Sequence, residues 1–401
     1  MNIALVNLIT KTADLPKGRT AKNPVPDSDD DLNITKLAKT LASKGHNVTI
    51  YISDAYEPTI KCSSDGINII YVPTRLTSIF PPAVFPCTPS LKTYLKQNGF
   101  DIVQSGEVFQ MGTIYSNSAV KNSHSKLFVW QELDVLMQGM AGTIQKQFYN
   151  TLGKRIAKNC KIIPRSKSAA THLINYGFDS DLITQVVHSG VDCSVFRPMD
   201  KDESRREFGL STDQNVAISV GRLHYNKGMD ILVRAAKIIR EEDQNFKLIL
   251  KGTGPEEENL RALIQKLGLA DTVFIHTDYL DSHGLAELYN CADLYMLSSR
   301  NDLFPFTAIE SISCGIPILS SFSRGIESDI VGEGAGIMAP QTPENIADSA
   351  IMLFNDPGRL KSMSCKARDL AVGEFDFGVS ADRLCCIYEE SQWTKSYLFH
   401  I

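Results

Sequence analysis

Short apolar runs alternate along the chain with stretches whose apolar residues recur three and four positions apart, a pattern that predicts a parallel α/β protein. Residues 2–7, 47–52, 67–72, 101–104, 126–131 and 184–187 read as strands of a first sheet. Helices are expected over 32–41, closed by Gly45, and over 90–97, 143–159 and 166–176. A charged stretch, 199–208, reads as a linker, after which the alternation restarts with strands at NVAISV, FKLILK and TVFIH. Further helices fall over 346–354, 359–371 and 379–390. The expected organisation is a first domain over 1–198, a second over 199–375, and a segment, 376–401, whose helix crosses back to the first.

One stretch, CADLYMLSSRNDLFPFTAIESISCGIPILS, carries most of the chemistry. It reads as a strand over 293–297, a loop holding Asp302, a helix over 306–314, a turn at Gly315 and a strand over 317–320. In an open parallel sheet such a loop leaves the carboxyl end of its strand for a helix N-terminus, where backbone N–H groups and the helix dipole suit a phosphate. Asp302 and Glu310 bracket that anion site. Carboxylates are poor phosphate ligands but accept well from paired hydroxyls, so the stretch points to a nucleotide carrying a sugar.

Composition narrows the class. The 401 residues are 43% hydrophobic and 22% charged, which suits a globular protein of two domains. A net charge of -5 gives no electrostatic footprint for nucleic acid. Nine cysteines without metal-ligand spacing read as reduced thiols and a cytoplasmic location. No signal-type segment or bilayer-length apolar run is present, so any membrane contact is expected to be peripheral, at the inner face.

With these residues in view, the chain resembles the retaining GT-B glycosyltransferases of glycosyltransferase family 4. SKGHNVTIY, VVHSGVDCSVFRP, VGRLHYNKGMDILVRAA, LKGTGPEEENL, ELYNCADLYML and the 291–320 stretch fall in the family's order, and the similarity is strongest over 188–344. The resemblance implies two Rossmann-like domains facing a cleft, the nucleotide-sugar donor held mainly by the second and a saccharide or lipid-linked acceptor by the first. It implies no cofactor and no metal. Arg222 and Lys227 match the family's G-R-x4-K-G pattern and would clamp the donor phosphates, where fixed cations stabilise a departing diphosphate. Glu310 matches the second glutamate of the family's acidic pair and would accept from the ribose.

Departures from the family pattern also inform the reading. Asp302 stands where the family usually has Glu, and Asp302-Leu303-Phe304-Pro305-Phe306 replaces E-G-F-G-L, leaving the N–H groups of Leu303, Phe304 and Phe306 as donor contacts. The family's glycine pair in its first loop is here Ser28 and Asp29, and Asp29, Asp30 and Asp31 read as helix-capping acids. Where the family often has His, the chain reads Trp130-Gln131-Glu132-Leu133-Asp134. Gln131, Glu132 and Asp134 are candidates there, with Glu132 assigned to catalysis, and an ordinary surface loop is the competing reading. GTGP over 252–255 is by itself a strand-to-helix turn, and the HTDYL segment is expected near the base.

Residues 143–167 carry Lys146, Lys154, Arg155, Lys158, Lys161, Arg165 and Lys167 with no acid, beside a stripe of Ile144, Phe148, Leu152 and Ile156. That pattern fits a core-facing helix with a solvated face or a peripheral membrane contact. The expected function is sugar transfer for a surface polysaccharide or glycolipid. Its rivals are a non-catalytic sugar-nucleotide-binding subunit and a sugar-nucleotide epimerase.

Overall fold

A computed structural model describes residues 1–10, 32–57, 66–137, 139–300, 302, 304–321 and 323–390. The expectations for Ser28, Asp29, Asp30, Asp31 and Leu303 lie outside the described residues. The chain divides into two compact units, the first formed by Met1–Gly190 with the chain from Ser380 onward, the second by Val191–Val379.

The first unit holds β1 (Asn2–Val6), β2 (Asn47–Ser53), β3 (Ile67–Val72), β4 (Ile102–Gly106), β5 (Lys126–Gln131) and β6 (Cys160–Pro164), all parallel, in the order β3-β2-β1-β4-β5-β6. The second holds β7 (Val216–Val220), β8 (Lys247–Lys251), β9 (Val273–His276), β10 (Leu294–Leu297), β11 (Ile318–Ser320) and β12 (Gly336–Met338) in the order β12-β11-β10-β7-β8-β9. Both are doubly wound sheets whose strand order reverses once, beside β1 and β4 in the first and beside β7 and β10 in the second. The central strands β1, β4, β7 and β10 are buried on both faces, which is why they read as continuous apolar runs. In β7, Val216, Ile218 and Val220 enter one core and Ala217 the other.

Four sequence expectations are corrected. Residues 184–187 form no strand. They run beside Cys160–Pro164, which is the sixth strand, with Thr184 N–H donating to the Ile162 carbonyl at 2.9 Å. The helix expected over 143–159 is broken into Gly139–Phe148, a π-turn at Tyr149–Gly153 and Lys154–Ala157, because the fully buried Tyr149 ring is caged by His172, Tyr176 and Phe178. The 199–208 linker contains a helix, Lys201–Glu207. Asp200 caps it by accepting from Glu203 N–H, and buried Arg205 ties it to Asp293 at 2.7 Å. The second unit begins at Val191, ahead of the boundary placed after 198, since Val191, Cys193 and Phe196 are buried in its core.

A helix at Met111–Val120 had no counterpart in the pattern. Its buried face is Gly112, Thr113, Ser116 and Ala119, with no apolar stripe to betray it. The last helix, Phe377–Glu389, packs on the first unit through Tyr388, whose ring lies 5.0 Å from that of Phe128 and whose hydroxyl donates to Gln104 Oε1 at 2.5 Å.

Candidate functional site

Ligands of doubly wound sheets bind outside the carboxyl ends of the strands, where the strand order reverses. In the second unit that point lies between β7 and β10. The loop after β7 carries Arg222 and Lys227, and the loop after β10 carries Asp302. There the Lys227 ammonium is ion-paired with the Asp302 carboxylate, both side chains partly buried, and Ser299 Oγ donates to the same carboxylate oxygen at 3.3 Å. Arg222 is exposed on the same loop.

Glycine makes this geometry possible. Gly228 has φ +65°, and a Cβ there would sit 2.0 Å from the Ser298 carbonyl oxygen, so the two loops touch backbone to backbone. Ser298 Oγ reinforces the contact by donating to the Gly228 carbonyl at 2.7 Å. Arg300 adds a clamp. Its guanidinium makes a bidentate pair with Asp230 at 2.8 Å per bond, donates to the Tyr225 carbonyl at 2.7 Å and stacks 4.0 Å from the Tyr225 ring centroid.

GTGP turns out to be more than a turn. A Cβ on Gly252 would lie 1.9 Å from Gly221 O and one on Gly254 2.4 Å from Leu223 O, so this loop is the backing on which the Arg222 loop rests. Leu223 N–H donates to Thr253 O at 2.8 Å, and Gly252 N–H donates to His276 O at 3.0 Å.

Glu310 lies on the helix Phe306–Ser313, whose first turn holds no acidic residue and whose cap, Pro305, supplies no side-chain bond. Tyr289 Oη donates to Glu310 Oε2 at 2.9 Å. Burial, then the Glu310 carboxylate, push the Tyr289 phenol well above its ordinary value, so it remains a donor. Phe304 stacks on Phe375 at 5.8 Å, and the partly buried rings of Phe304 and Phe306 pack on the second unit's core.

The carboxyl edge of the first sheet brings together a different set. Of the three candidates after β5, Gln131 is fully buried and braces the loop, accepting from Val108 N–H at 3.1 Å and donating to Leu133 O at 2.9 Å. Asp134 is buried and accepts from Ser168 Oγ at 2.9 Å. Glu132 is partly exposed and pairs with Arg165, Nη1 to Oε2, at 3.3 Å. The loop is therefore not an ordinary surface loop.

Sequence reasoning passed over Glu107 and placed Arg165 in a basic face. Glu107 directly follows β4 and has φ +54°, a left-handed conformation rare outside glycine. Its Oε1 accepts from Glu132 N–H at 2.8 Å and Leu133 N–H at 3.2 Å, while Oε2 is buried and accepts no hydrogen bond from the described residues. Burial, reinforced by the Glu132 carboxylate, pushes the Glu107 carboxyl up to about 8. Arg165 stacks 4.4 Å from the Trp130 ring centroid. The available signal was an acid directly after a strand in QSGEV. No group of three or more His, Cys, Asp or Glu among the described residues is placed to hold a metal.

Comparison with known proteins gives two family matches, one described as Glycosyl transferases group 1 over residues 200–370, the other as Glycosyltransferase Family 4 over 34–195. The D-inositol 3-phosphate glycosyltransferase of Segniliparus rotundus is 29% identical over 241 residues, 59% of this chain and 53% of that protein. The chain thus spans about half the length of the first curated relatives it matches. The enzyme of the same name from Stackebrandtia nassauensis is 25% identical over 396 residues, 89% of this chain and 86% of its own. Among solved structures, Anabaena HepE in complex with UDP superposes with a TM-score of 0.72 at 15% identity, covering 96% of this chain and 99% of that one. HepE has also been solved with UDP-glucose. That likeness identifies the fold as GT-B.

Proposed function

Because this chain belongs to the group 1 glycosyl transferases, we propose that it moves a sugar from a nucleotide-diphosphate sugar to a saccharide or lipid-linked acceptor, with retention at the anomeric carbon and without a bound metal. The product would be a surface polysaccharide or glycolipid. One observation carries the reading: a lysine and a carboxylate, far apart in sequence, meet where the second sheet's strand order reverses. On donor binding Lys227 exchanges Asp302 for the diphosphate, and with Arg222 stabilises charge as the diphosphate departs. Asp302, released, accepts from hydroxyls of the transferred sugar. Glu310, oriented by Tyr289, accepts from the ribose diol, and the backbone ahead of the helix Phe306–Ser313 faces the phosphates. In the first unit, Glu132 is assigned to the reacting hydroxyl of the acceptor.

HepE binds UDP and UDP-glucose, so UDP-sugars are the first donors to test. A thermal-shift screen against UDP, GDP, ADP and their sugars identifies the nucleotide, since a ligand that binds the native state raises its apparent stability. Release of the nucleoside diphosphate together with a new glycoside of unchanged anomeric configuration, undiminished by chelator, is the expected result. An isomerised sugar points instead to epimerisation, and tight binding without turnover to a non-catalytic subunit.

A second reading concerns the membrane. No helix among the described residues is long and apolar enough to cross one. Of the stripe expected to face the core, Ile156 is buried, yet Ile144 is 54% and Leu152 39% exposed, and Met140 is 80% exposed nearby. Lys146, Lys154, Arg155 and Lys158 flank them. We propose that this face rests on an anionic bilayer, its apolar side chains entering the interface beneath the cations. Co-sedimentation with anionic but not neutral vesicles, lost in Ile144→Asp, is expected; equal recovery from both removes the reading.

A further inference from the structure

The cluster at the carboxyl edge of the first sheet contains a charge imbalance. Two carboxyl groups, Glu107 and Glu132, lie near one guanidinium, Arg165, which is ion-paired with Glu132. Glu107 Oε1 is satisfied by two backbone N–H groups, but Oε2 is buried and accepts no hydrogen bond from the described residues. A carboxylate oxygen buried without a donor is costly, whereas a protonated one is far less so. The titratable groups facing Glu107 work in the same direction or only partly against it. Glu132, on the loop after β5, disfavours its charge; Arg165, on the loop after β6, favours it weakly. Tyr149, whose phenol is itself pushed up by burial, supplies no charge at neutral pH.

We propose that Glu107 is a proton-carrying positioning residue: as the neutral acid it fixes the turn that presents Glu132 and leaves the Arg165–Glu132 pair undisturbed. When it ionises, the proton leaves to solvent and a second carboxylate competes for Arg165, disturbing the arrangement on which the acceptor side depends. The inference rests on the transfer reading for its effect on turnover, but not for its proton.

The ionisation belongs to a raised carboxyl, so the neutral form dominates below about 8 and is lost as pH rises through it. Glu107→Gln preserves the acceptor oxygen and replaces the O–H with N–H donors, mimicking the neutral acid. Infrared difference titration of the full chain is expected to show a protonated-carboxyl band that disappears near pH 8 and is missing in Glu107→Gln. In turnover, wild type is expected to lose activity above that pH through kcat, with Glu107→Gln holding its rate further into alkali and Glu107→Ala falling about tenfold at all pH values. Absence of the band in wild type, or superimposable alkaline limbs for wild type and Glu107→Gln, overturns the inference. Should no donor be turned over, the transfer reading fails, and the infrared titration alone decides whether Glu107 holds the proton.

Discussion

The two sheets share one strand order and one reversal point, yet their carboxyl edges are built on opposite electrostatic plans. At the second edge, opposite charges are paired across loops: Lys227 with Asp302, Arg300 with Asp230. At the first, Glu132 is paired with Arg165 while burial and the Glu132 carboxylate push the neighbouring Glu107 carboxyl up. A shared topology thus fixes where a ligand goes, while the loops decide its charge. The second edge suits an anion that displaces a carboxylate from a lysine. The first suits a hydroxyl that gains or loses a proton.

Three substitutions probe that contrast. Lys227→Ala removes the cation on which the second edge is built. It is expected to lower kcat by about 10²–10³-fold with a smaller change in donor KM, as for loss of a group that stabilises developing charge. Steady-state rates matching wild type would leave the two edges equally idle and end the comparison. Gly228→Ala tests whether the pairing depends on backbone contact. Its Cβ meets Ser298 O at 2.0 Å in a left-handed conformation, so urea unfolding should show a loss of about 1–3 kcal/mol, with donor binding weakened as well. A variant as stable as wild type would show that the loops can part freely. Tyr289→Phe is the finest probe. Losing one hydrogen bond to Glu310 should raise donor KM about fivefold and leave kcat nearly unchanged. A change confined to kcat would move Glu310 from ribose binding to chemistry.

The second edge was the more legible from sequence. Its glycines stand in GRLHYNKG and GTGP, directly after apolar runs, and its charged residues follow in the same loops, so pattern and motif agree. Even there, the Arg300 clamp was invisible, because a bidentate pair with Asp230 joins residues distant in sequence. The first edge was poorly legible. Glu107 stands alone after its strand, Arg165 sat in a basic run between two expected helices, and the helix Met111–Val120 buries small residues that carry no period. Tertiary caging of Tyr149 broke a helix whose local pattern ran unbroken through it. Gln131 and Asp134 read as candidate ligands and lie buried, a placement that residue type alone does not reveal.

The return of the final helix to the first unit also has a consequence for biosynthesis. Phe128 and Gln104 wait for Tyr388, so the N-terminal half cannot complete its packing as it leaves the ribosome; the second half must emerge first. Ribosome-stalled chains ending at Val379 should therefore be clipped by protease within the first half, while chains extended through Glu389 resist.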